Sequence, residues 1–156
     1  MKPSTILLAA CAMLSATAAN ARDAAISAPI KAMMAAFNKG DMATAKAMHT
    51  ATPTIVDNVA PFSWSGADAF DAFVSDLGKA EAAAGKSDGA VVFGDPVDEV
   101  VSGDRAYVVT PSSYTYKQNG KTMRETGMTA FVLVKVAGAW KVDRWSWASP
   151  TAVVVK

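Results

Sequence analysis

Between Ile26 and Phe37 the apolar side chains Ile26, Ile30, Met33, Met34 and Phe37 recur every three or four positions. That spacing marks one face of an α-helix. Gly40 is the expected stop, because glycine accepts the left-handed conformation that closes a helix. Asp41 is placed to cap a second, short helix carrying Met42, Ala45 and Met48. Pro53 followed by the β-branched pair Ile55-Val56 predicts a short strand. Ser65-Gly66-Ala67-Asp68 has the spacing of a capping box, and Asp68 and Asp71 suit a first helical turn. Phe70, Phe73, Val74 and Leu77 form the apolar stripe of that third helix. Gly85 would end it, with the Ala80–Ala84 stretch burying little.

From Val91 the pattern changes to segments rich in Val, Tyr, Phe, Thr and Trp. Val91–Val101, Arg105–Lys117, Thr122–Val136 and Trp140–Trp147 are separated by Ser102-Gly103, Asn119-Gly120 and Ala137-Gly138. Such short links join antiparallel neighbours. Helices followed by a meander of strands predict an α+β domain. Asn119-Gly120 is the sharpest turn signal, since a type I′ turn needs φ > 0 at both central residues. Counting outward pairs Gln118 with Lys121, Tyr116 with Met123, and Tyr114 with Glu125. These share a face with Thr110, Ser112, Gly127, Thr129 and Phe131. The Gly138 turn is less determined. A one-residue difference decides whether Trp145 and Trp147, or Arg144 and Ser146, join that face.

The N-terminus has a different character. Lys2 precedes nine residues without a polar face, Ile6 to Leu14, and Ala19-Asn20-Ala21 follows as an A-x-A site. A signal peptide over 1–21, cleaved after Ala21, and one domain over 22–156 are expected, with the protein periplasmic or secreted. Leu8-Ala9-Ala10-Cys11 also resembles a lipoprotein box. A cut there leaves only five apolar residues, Ile6 to Ala10. Membrane attachment is expected only if Cys11 is lipidated.

Composition narrows the chemistry. With 51% hydrophobic and 19% charged residues the chain is not of the intrinsically disordered type. A net charge of +1 gives no drive toward nucleic acid. One Cys and one His cannot build a disulfide framework or a zinc site of several Cys and His ligands. Dinucleotide, P-loop, nucleophile-elbow and zinc-protease motifs are absent from the sequence. No metal or cofactor is expected.

Four short motifs run along the chain: Phe37-Asn38-Lys39-Gly40-Asp41, Ile55-Val56-Asp57 with Pro61 and Trp64-Ser65-Gly66, Gly103-Asp104-Arg105-Ala106-Tyr107, and Gly138-Ala139-Trp140-Lys141-Val142. In order and spacing the chain resembles the nuclear-transport-factor-2-like superfamily, and its SnoaL-like branch in particular. The resemblance implies a cone-shaped α+β barrel, with three N-terminal helices packed in a curved antiparallel sheet and an apolar cavity at the open end. It implies homodimers through the sheet for many members. The superfamily spans ketosteroid isomerase, scytalone dehydratase, polyketide cyclases and binding or assembly modules, so the fold does not set the function.

Asp57 resembles in position the general base of ketosteroid isomerase, and a buried carboxylate can move a proton near neutral pH. Where that isomerase holds its oxyanion donors, approximate spacing places Met33 and Ala130, which donate no hydrogen bond. Steroid-type isomerisation is therefore disfavoured. His49 is either a proton-transfer partner for Asp57 or a helix-end residue favoured by the dipole. Tyr114 and Glu125 are either a pocket-facing pair or a solvated cross-strand pair. Trp64, with Trp145 or Trp147, could line an aromatic ligand site together with Met33; alternatively Trp145 or Trp147 sits at a dimer interface. Three readings follow. The leading one is an exported protein binding a small apolar or aromatic molecule. The others are a lyase, isomerase or hydratase using Asp57, and an assembly module with a filled cone.

Overall fold

The computed structural model describes residues 23–155. The expected signal peptide, with Lys2, Cys11 and the Ala21 cut, lies outside them. Helix α1 (Ala24–Asn38) is capped by Asp23, whose Oδ1 accepts the Ala25 N–H at 2.8 Å. Gly40 follows it with φ of 75°. Helix α2 (Met42–Ala47) is capped as expected by Asp41, which accepts the Thr44 N–H at 3.0 Å. Strands β1 (His49–Val56) and β2 (Ser63–Ser65) precede helix α3 (Ala69–Ala83).

The expected capping box does not form. Asp68 is the N-cap by position, without a side-chain hydrogen bond. Ser65 is committed to β2 opposite Thr54, and its hydroxyl donates to Thr54 Oγ1 at 3.2 Å. Strand pairing has taken the residue that the helix would have used.

The remaining strands are β3 (Lys86–Phe93), β4 (Asp98–Ser102), β5 (Arg105–Gln118), β6 (Lys121–Val136), β7 (Ala139–Ala148) and β8 (Val153–Val154). The expected strand Val91–Val101 is thus two strands. They share one edge of β5, β3 along its C-terminal half and β4 along its N-terminal half. Between them the chain bends at Gly94, whose carbonyl accepts the Thr110 hydroxyl at 2.6 Å.

The sheet runs β2-β1-β7-β6-β5-β3, with β4 on β5 and β8 on β6. It is curved but not closed. It is also mixed rather than wholly antiparallel, because β1 lies parallel to β7. The β5–β6 hairpin has the register counted from Asn119-Gly120, including Tyr114 opposite Glu125. The core lies between the helices and one sheet face. Ile26, Ile30 and Met33 of α1 and Phe70 and Phe73 of α3 meet Val108, Phe131, Leu133 and Val142 of the sheet. Burial of each large aliphatic or aromatic side chain contributes about 1.5–3 kcal/mol.

Candidate ligand cavity

The helices do not fill the sheet's concave face. They leave a cavity of about 620 Å³, within the range of small-molecule sites. Met33, Met34 and Phe37 line it from α1, and Phe70, Phe73 and Leu77 from α3. The sheet adds Phe93, Tyr114, Trp145 and Trp147. An open cavity removes the support that a filled cone would have given the assembly reading.

A bulge decides the tryptophans. Val142 faces Leu133, but Arg144 faces Val132, so Asp143 is an extra residue in β7. Without it the two-residue turn would bring Arg144 opposite Phe131. With it Trp145 faces Phe131 and Trp147 faces Thr129. Both indoles therefore line the cavity and are not on the outer sheet face.

Met33 also lines the cavity. Ala130 lies between the inward-facing Thr129 and Phe131 and so turns to the opposite face. Thr129 lines the cavity, and its hydroxyl shares a 2.7 Å hydrogen bond with that of Ser112.

Asp57 follows β1 and lines the cavity. Its Oδ1 accepts the Val59 N–H at 3.1 Å. Burial pushes its carboxyl up to about 6, helped by the negative charge of Glu125 and opposed by the Val59 and Asn58 amides and by Lys86. His49 is not beside it. His49 lies opposite Val142 and Val56 opposite Ser146, so four residues of extended strand, about 13 Å, separate the two ends of β1. The imidazole is buried, its Nδ1 3.1 Å from the Ala45 carbonyl. Its Nε2 accepts the Trp145 indole N–H at 3.2 Å. Nδ1 must then carry the proton, and neither nitrogen is left for a substrate. Desolvation lowers the His49 pKa and keeps the ring neutral, against the Ala45 and Lys46 carbonyls.

Trp64 stands behind the wall. Its ring meets Phe73 edge-on at 5.1 Å and its Nε1–H donates to Asp76 at 3.0 Å.

Tyr114 and Glu125 are cross-strand partners whose side chains part. The Tyr114 hydroxyl donates to Glu81 on α3. Burial and then Glu81 push its ionisation far up, so it stays a donor. Glu125 accepts from Tyr116 at 3.1 Å and from Ser149 at 3.3 Å, and pairs with Lys86 at 3.4 Å. The Lys86 ammonium lies 4.1 Å from the centroid of the Tyr116 ring, which stacks on Tyr114 at 4.8 Å. Glu81 and Lys86 both line the cavity, and the sequence reading missed them. The site is thus an aromatic and thioether chamber whose polar lining includes Asp57, Glu81, Tyr114 and Lys86. Among the described residues there is no group of three His, Cys, Asp or Glu suited to a metal, and no helix is long and apolar enough to cross a membrane.

The chain belongs to the SnoaL-like domain family, whose model matches residues 30–141. No curated protein matches it in sequence. Several solved structures share the fold. The hexachlorocyclohexane dehydrochlorinase LinA-type3 of Novosphingobium barchaimii is 10% identical, with a TM-score of 0.71 over 85% of this chain and 88% of its own. A ketosteroid isomerase-like protein of Erwinia carotovora atroseptica is 22% identical, with a TM-score of 0.64 over 85% of this chain and 98% of its own. A candidate scytalone dehydratase of Novosphingobium aromaticivorans is 15% identical, with a TM-score of 0.67 over 85% of this chain and 86% of its own.

Proposed function

We propose that the protein takes up a small, largely apolar or aromatic molecule in this cavity. One observation carries the reading: about 620 Å³ of space is walled mainly by apolar residues, with Met, Phe and Trp side chains prominent among them, and with few polar groups to orient a guest. Calorimetric titration with 2-naphthol tests it. The native protein should give a saturable heat, and Met34→Trp, whose indole would occupy the cavity, should not. No binding by the native protein across a panel of naphthols, biphenyls and phenylalkanes overturns the reading.

A second reading rests on the placement of Asp57. A carboxylate at the wall of an apolar cavity, with its acidity near 6, suits proton abstraction at neutral pH. Neighbours named for dehydration and dehydrochlorination give this fold a precedent for elimination chemistry. Asp57→Asn should then abolish turnover of a substrate that still binds; unchanged turnover removes the mechanism.

The layout of residues 1–21 supports export, with maturation at Arg22. N-terminal sequencing of the protein recovered from the periplasm tests this. Exposed Val100, Tyr107 and Met128 support a homodimer through the outer sheet face, and a monomeric native mass would overturn it.

A further inference from the structure

The charged groups of the lining narrow the ligand class, on the footing of the cavity-binding reading above. We propose that the ligand carries an ammonium group, with its carbon body against the aromatic wall and its charge answered by the carboxylates of the lining, Asp57 and Glu81. Both carboxylates line the cavity. Neither belongs to an ion pair among the described residues. Among the described residues Glu81 has only the neutral Tyr114 hydroxyl as donor, and Asp57 the Val59 and Asn58 amides.

Lys86 is the cation of the lining, and its charge is already answered. Its ammonium is 3.4 Å from Glu125 and lies over the Tyr116 ring. With Asp57 ionised, three carboxylates stand against one ammonium, a local excess of two negative charges. An anionic guest would add a third. A neutral guest would strip water from the carboxylates and return at most an uncharged hydrogen bond. An ammonium compensates that desolvation, and the faces of Tyr114, Trp145 and Trp147 attract a cation in the same space.

The test is calorimetry on the mature chain at pH 7.5 with three probes sharing one body: 4-phenylbutylamine, 4-phenylbutan-1-ol and 4-phenylbutanoate. The amine should bind at least tenfold more tightly than the alcohol, and the carboxylate most weakly. Asp57→Asn and Glu81→Gln should each shrink the amine-to-alcohol ratio by about three- to tenfold, the range of one partly screened charge contact. Glutamine at 81 still accepts from Tyr114, so this effect reads charge and not a broken wall. Lowering the pH to 5, where Asp57 is largely protonated, should shrink the ratio in the native protein. An alcohol that binds as tightly as the amine overturns the amine selection and leaves cavity binding intact. A carboxylate that binds best overturns it too, and makes Lys86 the selecting charge. Binding of none of the three, by a protein that still binds 2-naphthol, overturns the amine selection alone; loss of the whole aromatic panel overturns both readings.

Discussion

The indole of Trp145 donates its Nε1–H to Nε2 of His49 across 3.2 Å. This bond ties a cavity wall to the end of α2, because the other imidazole nitrogen faces the Ala45 carbonyl. Phe70 packs on the imidazole at 5.0 Å and Phe73 meets Trp145 edge-on at 5.1 Å. Both phenylalanines also line the cavity. The one histidine thus acts as a strut that fixes the indole's orientation.

A neutral His49 is a condition of that geometry. Protonation would place an N–H against the indole N–H. The His49 pKa is lowered in the fold, so the unfolded chain binds the proton more readily. The stability it contributes is present above the ordinary histidine value of 6.5 and is lost as pH falls below it. The charged residues on the elements packed against it include Lys46 on α2, which pairs at 2.6 Å with the exposed Asp71 of α3, and Asp143 on β7, which takes the Thr50 hydroxyl. His49→Ala should destabilise by about 1–3 kcal/mol through an unpaired buried donor. His49→Gln, which can still accept from Trp145, should lose less and flatten the acid limb. Urea denaturation followed by tryptophan fluorescence from pH 4 to 8 checks both.

Asp57 works in the opposite direction. Its carboxyl is raised from 3.8 to about 6, so the folded state holds a proton that the unfolded state has released. Stability from this group falls as pH rises from about 4 to 6 and stays low above that. The gap corresponds to at most about 3 kcal/mol, less after allowance for partial exposure. Asp57→Asn should therefore stabilise the fold at pH 8, by about 1–2 kcal/mol, and change little at pH 4. A stability gain that does not depend on pH would show that the carboxyl is not perturbed in the native state.

Gly127 carries the crossing of the C-terminal segment. A Cβ built there would lie 2.0 Å from the Ala148 carbonyl oxygen and 2.9 Å from Ser149 Cα. These are backbone atoms that cannot rotate aside. The segment beyond goes on to the Ser149–Glu125 hydrogen bond and to β8 on Met123 and Arg124. Gly127→Ala should displace it, destabilise by about 1–3 kcal/mol and raise amide exchange at Val155, whose N–H donates to Thr122. Unchanged exchange at Val155 would mean that the crossing can shift without consequence.

What could be read from the sequence follows the range of the interactions. The β5–β6 register is local: Asn119 and Gly120 both have positive φ, and every pair back to Arg105 and Val134 follows by counting. The parallel β1–β7 pairing joins residues about ninety positions apart, and nothing near His49 or Val142 announces it. Glu81 was hidden in an alanine-rich helix end, yet α3 continues through Ala83 and turns that carboxylate to Tyr114. Lys86 was hidden because Lys86-Ser87-Asp88-Gly89 has no apolar alternation. Its strand character comes from Lys117 and Gln118 on the neighbouring strand. Asp57 was legible through the family motif, whereas its separation from His49 was not. That separation depends on the irregular pairing between His49 and Thr54.

The Asp143 bulge is the feature on which the cavity depends most, and exchanging two neighbours tests it. In a regular hairpin from Ala137-Gly138 residue 144 would face Phe131; in the bulged register residue 145 does. Phe131 is fully buried and Arg144 is exposed. The double change Arg144→Trp with Trp145→Arg therefore places a guanidinium against the core and removes the donor to His49. An uncompensated buried charge costs about 3–5 kcal/mol, most of the stability of a marginally stable domain, and with the lost Trp145–His49 contact it favours either unfolding or a slip of the strand by one residue. The expected outcome is loss of cooperative unfolding, together with loss of 2-naphthol binding. A well-folded variant that still binds would mean that β7 has moved to the regular register and seated the introduced indole in the place that Trp145 holds in the native protein. The bulge would then follow from the position of the indole and not determine it.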